Sequence, residues 1–153
     1  NLPDGYEEMD RITVVRASYF LSVGGHEIDP NGPIDGPIEI DNYVVGVTGT
    51  ILFIPENMHL WLVVYPIGSG RYHPQQSEII PSENNEWGLD VYVGTPDSGV
   101  GEQFDLLLVF VNEEGNQAFQ DYLNNAAITG EYPGMDLPSG CEIIDRITVE
   151  RTE

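Results

Sequence analysis

Two groups of side chains in this sequence are of types that bind ligands. Arg71, Tyr72 and His73 are consecutive after a Gly-Ser-Gly turn, and Trp87 follows further along the chain. An arginine pairs with carboxylates, a histidine exchanges hydrogen bonds, and aromatic rings stack on flat or sugar-like ligands. The four residues form a candidate site for a carbohydrate or another small ligand. The favoured alternative is that Tyr65, Tyr72 and Trp87 are core and edge packing residues of a β-sandwich.

A loop rich in acids and prolines supplies the second candidate site. Asp29, Asn31 and Asp35 offer hard oxygen ligands of the kind that Ca²⁺ prefers. Their spacing is not that of an EF-hand, and Asp, Asn and Gly are also ordinary turn residues. A solvated turn is therefore the favoured interpretation, and calcium is the one cofactor that the sequence suggests.

Catalytic motifs are missing from the sequence. It contains no Gly-x-Ser-x-Gly, no phosphate-binding glycine loop and no His-Glu-x-x-His. His26, His59 and His73 are scattered, and His59 is expected to be a partly buried structural residue at the start of a strand. A glycosidase-like pair of carboxylates stays open among 26 acids, but nothing singles one pair out. We expect no enzymatic activity.

Charge excludes several classes of partner. The chain has 26 acidic residues against 5 basic ones, a formal net charge of −21, and no lysine. Binding to nucleic acid needs basic side chains that neutralise phosphates, so we exclude it. An anionic membrane surface is disfavoured for the same reason, and no apolar run is long enough to insert into a membrane. An acidic surface of this kind suits a saline or extracellular setting.

The pattern of apolar residues predicts a mainly β domain with one helix. Period-2 or continuous apolar runs separated by Gly and Pro turns predict six or seven strands. Prolines 30, 33 and 37 argue against regular pairing between His26 and Asn42, and Gly46 and Gly49 are expected at β-bulges. The helix is predicted over about 113–126, with Asn112 as its N-cap and Gly130 as its stop. Together these elements favour an immunoglobulin-like β-sandwich with one packed α-helix. The predicted strands and helix are Tyr19–Val23, Tyr43–Phe53, His59–Ile67, Trp87–Val93, Phe104–Val111, 113–126 and 142–151.

One stretch of the sequence occurs twice. Residues 2–16 and 137–151 are identical at ten of fifteen positions, and Asp145 follows Asp10 by 135 residues. About one identity would be expected by chance at ordinary residue frequencies. Cys141, the only cysteine, aligns with Tyr6 and is therefore expected to be structural. We interpret residues 1–16 as the closing strand of a preceding repeat or a linker extension, and 17–153 as a single sandwich domain.

Several short segments, taken in order, resemble a known group of modules. They are Val47-Thr-Gly-Thr50, Leu60–Pro66, Arg71–Gln75, Trp87, Val93-Gly94, Phe104–Val109, Leu137–Gly140 and Ile147–Arg151. The sequence resembles immunoglobulin-like β-sandwich modules of archaeal and bacterial cell-surface proteins over about Val44 to Arg151. The resemblance implies an extracellular or cell-surface location and no particular activity.

The resulting hypothesis is a non-catalytic module of a tandem-repeat surface or secreted protein. Its role would be spacing, adhesion or assembly, and its partners would be neighbouring modules of the same chain or other surface proteins. The alternatives are a carbohydrate- or small-ligand-binding module and an accessory domain of a hydrolase.

Overall fold

The computed structural model describes residues 19–29 and 36–152, which form two β-sheets and one helix. The predicted repeat strand at residues 1–16 lies outside the described residues. The predicted mainly β architecture with a single packed helix is confirmed for the described ranges. The elements are β1 (Phe20–Val23), β2 (His26–Glu27), β3 (Ile38–Ile40), β4 (Val44–Thr50), β5 (His59–Pro66), β6 (His73–Pro74), β7 (Glu86–Tyr92), β8 (Gln103–Val111), α1 (Glu113–Thr129) and β9 (Glu142–Arg151).

The two sheets pack face to face across one apolar core. The four-stranded sheet has the order β2-β1-β4-β7, and the five-stranded sheet has the order β3-β9-β8-β5-β6. The core contains side chains from both sheets, among them Phe20 and Val47 of the first and Leu62 and Leu108 of the second. Of the strand pairs within the described residues, β3 with β9 is parallel and the others are antiparallel.

Strands β5 and β8 are apolar on both faces, as predicted, because both of their faces are covered. One face contributes to the core between the sheets. The other face carries Trp61, Val63 and Val109, which form a second apolar cluster together with Phe119 of α1. The ring of Phe119 meets that of Trp61 edge-on at 5.0 Å between centroids. The helix is therefore a third layer over the five-stranded sheet.

The ends of α1 follow from local sequence signals. Asn112 accepts a hydrogen bond from the backbone N of Gly115 at 2.9 Å, which confirms the expected N-cap. Gly130 adopts φ 76° and donates its N–H to Ala126, so the helix ends at a left-handed C-cap. The predicted helix over 113–126 is confirmed, with an end three residues later at Thr129.

The expectation of no regular pairing between His26 and Asn42 is wrong at both ends of that segment. His26–Glu27 pairs with β1, and Ile38–Ile40 pairs with Val149–Arg151. Pro37 does not prevent the second pairing because it stands just before the first residue of an edge strand, where no ladder hydrogen bond is required of it. Short strands of this kind raise the number above the six or seven predicted.

The prediction of bulges at Gly46 and Gly49 is also wrong. Strand β4 pairs with β7 in continuous register from Val44 to Thr50. The irregularity lies in β1, between Phe20 and Ser22. Gly49 is needed for another reason, because a Cβ there would lie 2.4 Å from the Trp87 ring and 2.5 Å from the Tyr19 carbonyl.

The described chain enters and leaves the sandwich at opposite ends. At the entry end, the Tyr19 carbonyl accepts the N–H of Thr50, the last residue of β4, and the Tyr19 N–H donates to Asp145. At the exit end, Arg151 closes β9 and reaches the loop that follows β7. Asp145 and Arg151 are six residues apart on one strand, or about 20 Å at ordinary strand rise.

Candidate functional site

The side chain of Arg71 lies against the loop that follows α1. Its guanidinium donates to the carbonyl of Gly134 at 2.6 Å and to that of Pro133 at 3.4 Å. Asp136, which is almost fully exposed, stands 3.8 Å from the same guanidinium. Much of the hydrogen-bonding capacity of Arg71 is therefore used within the chain.

Tyr72 and His73 continue this contact surface. The backbone of Tyr72 exchanges two hydrogen bonds of 2.8 Å with Met135, and its ring stacks on that of Tyr65 at 4.6 Å. His73 is half-buried against Gly134. Burial lowers the pKa of His73, and the charge of Arg71 lowers it further, so the imidazole is neutral at physiological pH.

Trp87 is in a different layer of the molecule. It belongs to β7, its side chain lies in the core between the sheets with 5% of its surface exposed, and it meets Phe20 edge-on at 6.0 Å. Its indole Nε1 is buried without a hydrogen-bond partner. The structure thus brings Arg71, Tyr72 and His73 together on one surface and places Trp87 apart from them. Ligand binding by the first three stays a prediction.

The proposed calcium ligands fall mostly outside the described part of the chain. Asp29 is described and exposed, whereas Asn31 and Asp35 lie outside the described residues. Within 19–29 and 36–152, no three His, Cys, Asp or Glu side chains are grouped closely enough to hold a metal ion. The calcium site at 29–35 therefore stays a prediction.

His59 bridges two carboxylates at the entry end. Its Nδ1 lies 2.7 Å from Glu78 Oε2, and its Nε2 lies 2.9 Å from Glu113 Oε1. The hydrogen bond with Glu78 raises the pKa of His59, burial opposes this effect, and Glu113 raises it further. A protonated ring donates at both nitrogens, so the cationic form links β5, the segment before β7 and the first turn of α1. His59 is only partly buried, as the sequence predicted, but its two partners were not identified from the sequence.

Cys141 has the environment of a structural thiol. It packs against the cluster beneath α1, and burial raises its pKa to about 11, with Glu142 contributing. At neutral pH the group is a protonated thiol, which is a poor nucleophile.

Arg151 is an extensively hydrogen-bonded charged side chain at the exit end, and sequence reasoning missed its role. It is 2% exposed, and its Nη1 donates to the carbonyls of Val93, Thr95 and Ser98 at 3.0, 2.7 and 2.6 Å. The guanidinium also lies 5.9 Å from the centre of the Tyr43 ring. It therefore holds the 93–98 loop of one sheet to the last residue of the other.

Asp145 makes the corresponding link at the entry end. It is 3% exposed, and its carboxylate accepts the backbone N–H of Tyr19 at 2.7 Å and that of Arg146 at 2.8 Å. The signal that could have identified Asp145 and Arg151 was the repeat, because Asp10 and Arg16 stand at the matching positions of the first copy.

Comparison of the chain with protein-family models, with characterised proteins and with solved structures found no match. Among the described residues, no helix has both the length and the apolar character needed to cross a membrane.

Proposed function

We propose that this chain is a structural module of a tandem-repeat surface or secreted protein, and that it serves as a spacer to which neighbouring modules attach. The observation that carries the proposal is that the residues shared by the two copies of the repeat include those that β9 buries in the sandwich. The module is proposed to be non-catalytic and immunoglobulin-like in its sandwich architecture.

The positions that the two copies share include the interior of β9. Asp145, Ile147, Val149 and Arg151 are all buried, and each has an identical residue in the first copy. Thr148, also shared, donates to Asp105 at 2.6 Å. A stretch that keeps the interior residues of a closing strand is expected to close a similar sandwich. Residues 1–16 are therefore proposed to belong to a preceding module of the same fold.

The positions that differ between the copies are less constrained in this fold. Ser139 and Ile143 are exposed, while Cys141, Ile144 and Glu150 are only partly buried. Substitutions at such positions usually change stability little, so two modules of one fold can diverge there. This contrast supports common structure rather than a common ligand as the reason for the repeat.

The places where the chain enters and leaves the described sandwich support a spacer. Tyr19 is at the entry end and Arg151 is at the exit end, about 20 Å away along β9. Modules that enter and leave at opposite ends extend an array lengthwise when joined. The net charge of −21 supports a saline or extracellular setting, because dissolved ions screen the repulsion between acids there.

The test is a two-module protein in which residues 1–151 are followed directly by residues 17–153. This junction reproduces the natural sequence at Arg16-Ala17-Ser18, since Arg151 takes the place of Arg16. We expect a urea midpoint at or above that of the single chain, and small-angle scattering that shows an elongated particle. A lower midpoint, or a particle with one disordered half, would refute the modular interpretation.

A further inference from the structure

Two consecutive apolar residues are exposed at the entry end. Leu52 is 84% exposed and Phe53 is 72% exposed, and they follow directly after Ile51, a core residue just beyond the end of β4. We call Leu52 and Phe53 the apolar tip. Large side chains of this kind are usually buried, so an adjacent pair at the end of the module suggests a contact surface.

The exit end also exposes apolar side chains. Val100 is 53% exposed and Ile67 is 49% exposed. Both lie at the exit end of the five-stranded sheet. Gly101, next to Val100, donates to the Arg151 carbonyl at 2.6 Å, and Ile67 donates to the carbonyl of Gln103, the first residue of β8, at 3.0 Å. We call Val100 and Ile67 the exit patch.

Covalent geometry places a preceding module next to the apolar tip. This step rests on the proposed function, in which Arg16 ends the closing strand of that module. Only Ala17 and Ser18 separate Arg16 from Tyr19, so the two ends lie within about 11 Å of each other. Tyr19 is hydrogen-bonded to Thr50, two residues before the apolar tip. The linker is too short to hold the two modules apart.

We propose that the apolar tip packs against the exit patch of a second copy of this module joined ahead of it. The contact removes Leu52 and Phe53 of the trailing module from water, together with Val100 and Ile67 of the leading module. An array held in this way is stiffer than the covalent linker alone would make it.

The two-module protein described above tests the contact, because each patch is covered in one of its modules and uncovered in the other. The double substitution Leu52→Ser and Phe53→Ser is placed either in the trailing module or in the leading module. Only the trailing copy has a module ahead of it. We expect a fall of about 5 °C in the melting temperature from the trailing-module variant, and about 1 °C or less from the leading-module variant.

The substitution Val100→Ser gives the opposite asymmetry. It lowers the melting temperature when placed in the leading module, whose exit patch is covered, and leaves it unchanged when placed in the trailing module. In each pair the two proteins have identical composition, so a general effect on folding cancels.

Equal losses from both positions, or no loss from either, would overturn the docking contact while two folded modules are still observed. Failure of the unsubstituted two-module protein to fold as two units would instead overturn the proposed function, and the docking contact with it. The two failures are therefore distinguishable.

Discussion

Replacing Arg151 by Met removes the charged link between the 93–98 loop and β9 at nearly constant side-chain length. Arg151 is 2% exposed, and its guanidinium donates to three backbone carbonyls, of which that of Val93 is buried. Met fills most of the space but donates no hydrogen bond. The cost therefore comes from the carbonyls left without a donor.

The magnitude depends on how many of those carbonyls water can reach. Hydrogen bonds from a charged donor contribute about 1.5–3 kcal/mol each. Thr95 and Ser98 are exposed, so water compensates for much of the loss at those two carbonyls. The carbonyl of Val93 has no such replacement. We expect a net loss of about 3 kcal/mol, or about 10 °C in melting temperature for a domain of this size.

Arg16→Met is the matched control, because Arg16 stands at the same position of the first copy. If residues 1–16 close another module, this variant leaves the free energy of unfolding within about 0.5 kcal/mol of the wild type. Urea unfolding followed by tryptophan fluorescence measures both variants, since Trp61 and Trp87 are buried and report on loss of the core. Arg151→Lys keeps the charge without the planar guanidinium, and its free energy of unfolding should lie between those of Arg151→Met and the wild type.

A free energy of unfolding for Arg151→Met within about 0.5 kcal/mol of the wild type would refute the stabilising link that we assign to the guanidinium. Equal losses for Arg151→Met and Arg16→Met would show that the first copy stabilises this same module. That result would contradict the modular interpretation of the repeat.

Two further predictions follow from the entry end and from the four-stranded sheet. The pKa of His59 is raised in the folded state, so its stabilisation is complete below the unfolded value of 6.5 and is lost as pH rises through the folded value. The difference in urea midpoint between wild type and His59→Gln should therefore shrink as the pH rises above 6.5, and a constant difference would show that protonation is not involved. Gly49→Ala should cost about 2 kcal/mol or more because its Cβ would meet the Trp87 ring at 2.4 Å. Gly46→Ala, whose Cβ would have its nearest neighbour at 3.6 Å, should cost less than about 0.5 kcal/mol, and similar losses at both positions would contradict a steric cause.

The parts of the fold that were predictable are those with a local signal. Alternation and apolar runs identified β4, β5, β7, β8 and β9, and the pair of Asn112 and Gly130 fixed the limits of α1. The short strand β3 was missed because three residues beside a proline carry almost no periodicity. Its pairing with β9 joins residues more than a hundred positions apart, which no local pattern encodes.

The candidate sites were harder to predict because they depend on which side chains the sheets bring together. Trp87 was a stacking surface in the proposed ligand site and a packing residue in the favoured alternative, and β7 places it in the core, where its ring lies over Gly49. His59 was expected to be structural, and its carboxylate partners come from positions 78 and 113, which are distant in sequence. Residue type alone identifies such groups as polar, and tertiary pairing decides whether they bind a ligand or each other.

The two buried charges of β9 explain why its sequence is repeated with so little change. Asp145, Ile147, Val149 and Arg151 share one face of the strand, because residues two apart point the same way. Ile147 and Val149 alone would tolerate a shift of β9 by two residues along β8, because an apolar side chain would still face the core. A charge stands at each end of the pair, and each is satisfied by backbone groups of the facing sheet or its connections. A slip would bury an uncompensated charge, at a cost of about 3–5 kcal/mol, so Asp145 and Arg151 specify one register. A strand that must close each module of an array in the same register would keep that pair, and residues 2–16 keep it as Asp10 and Arg16.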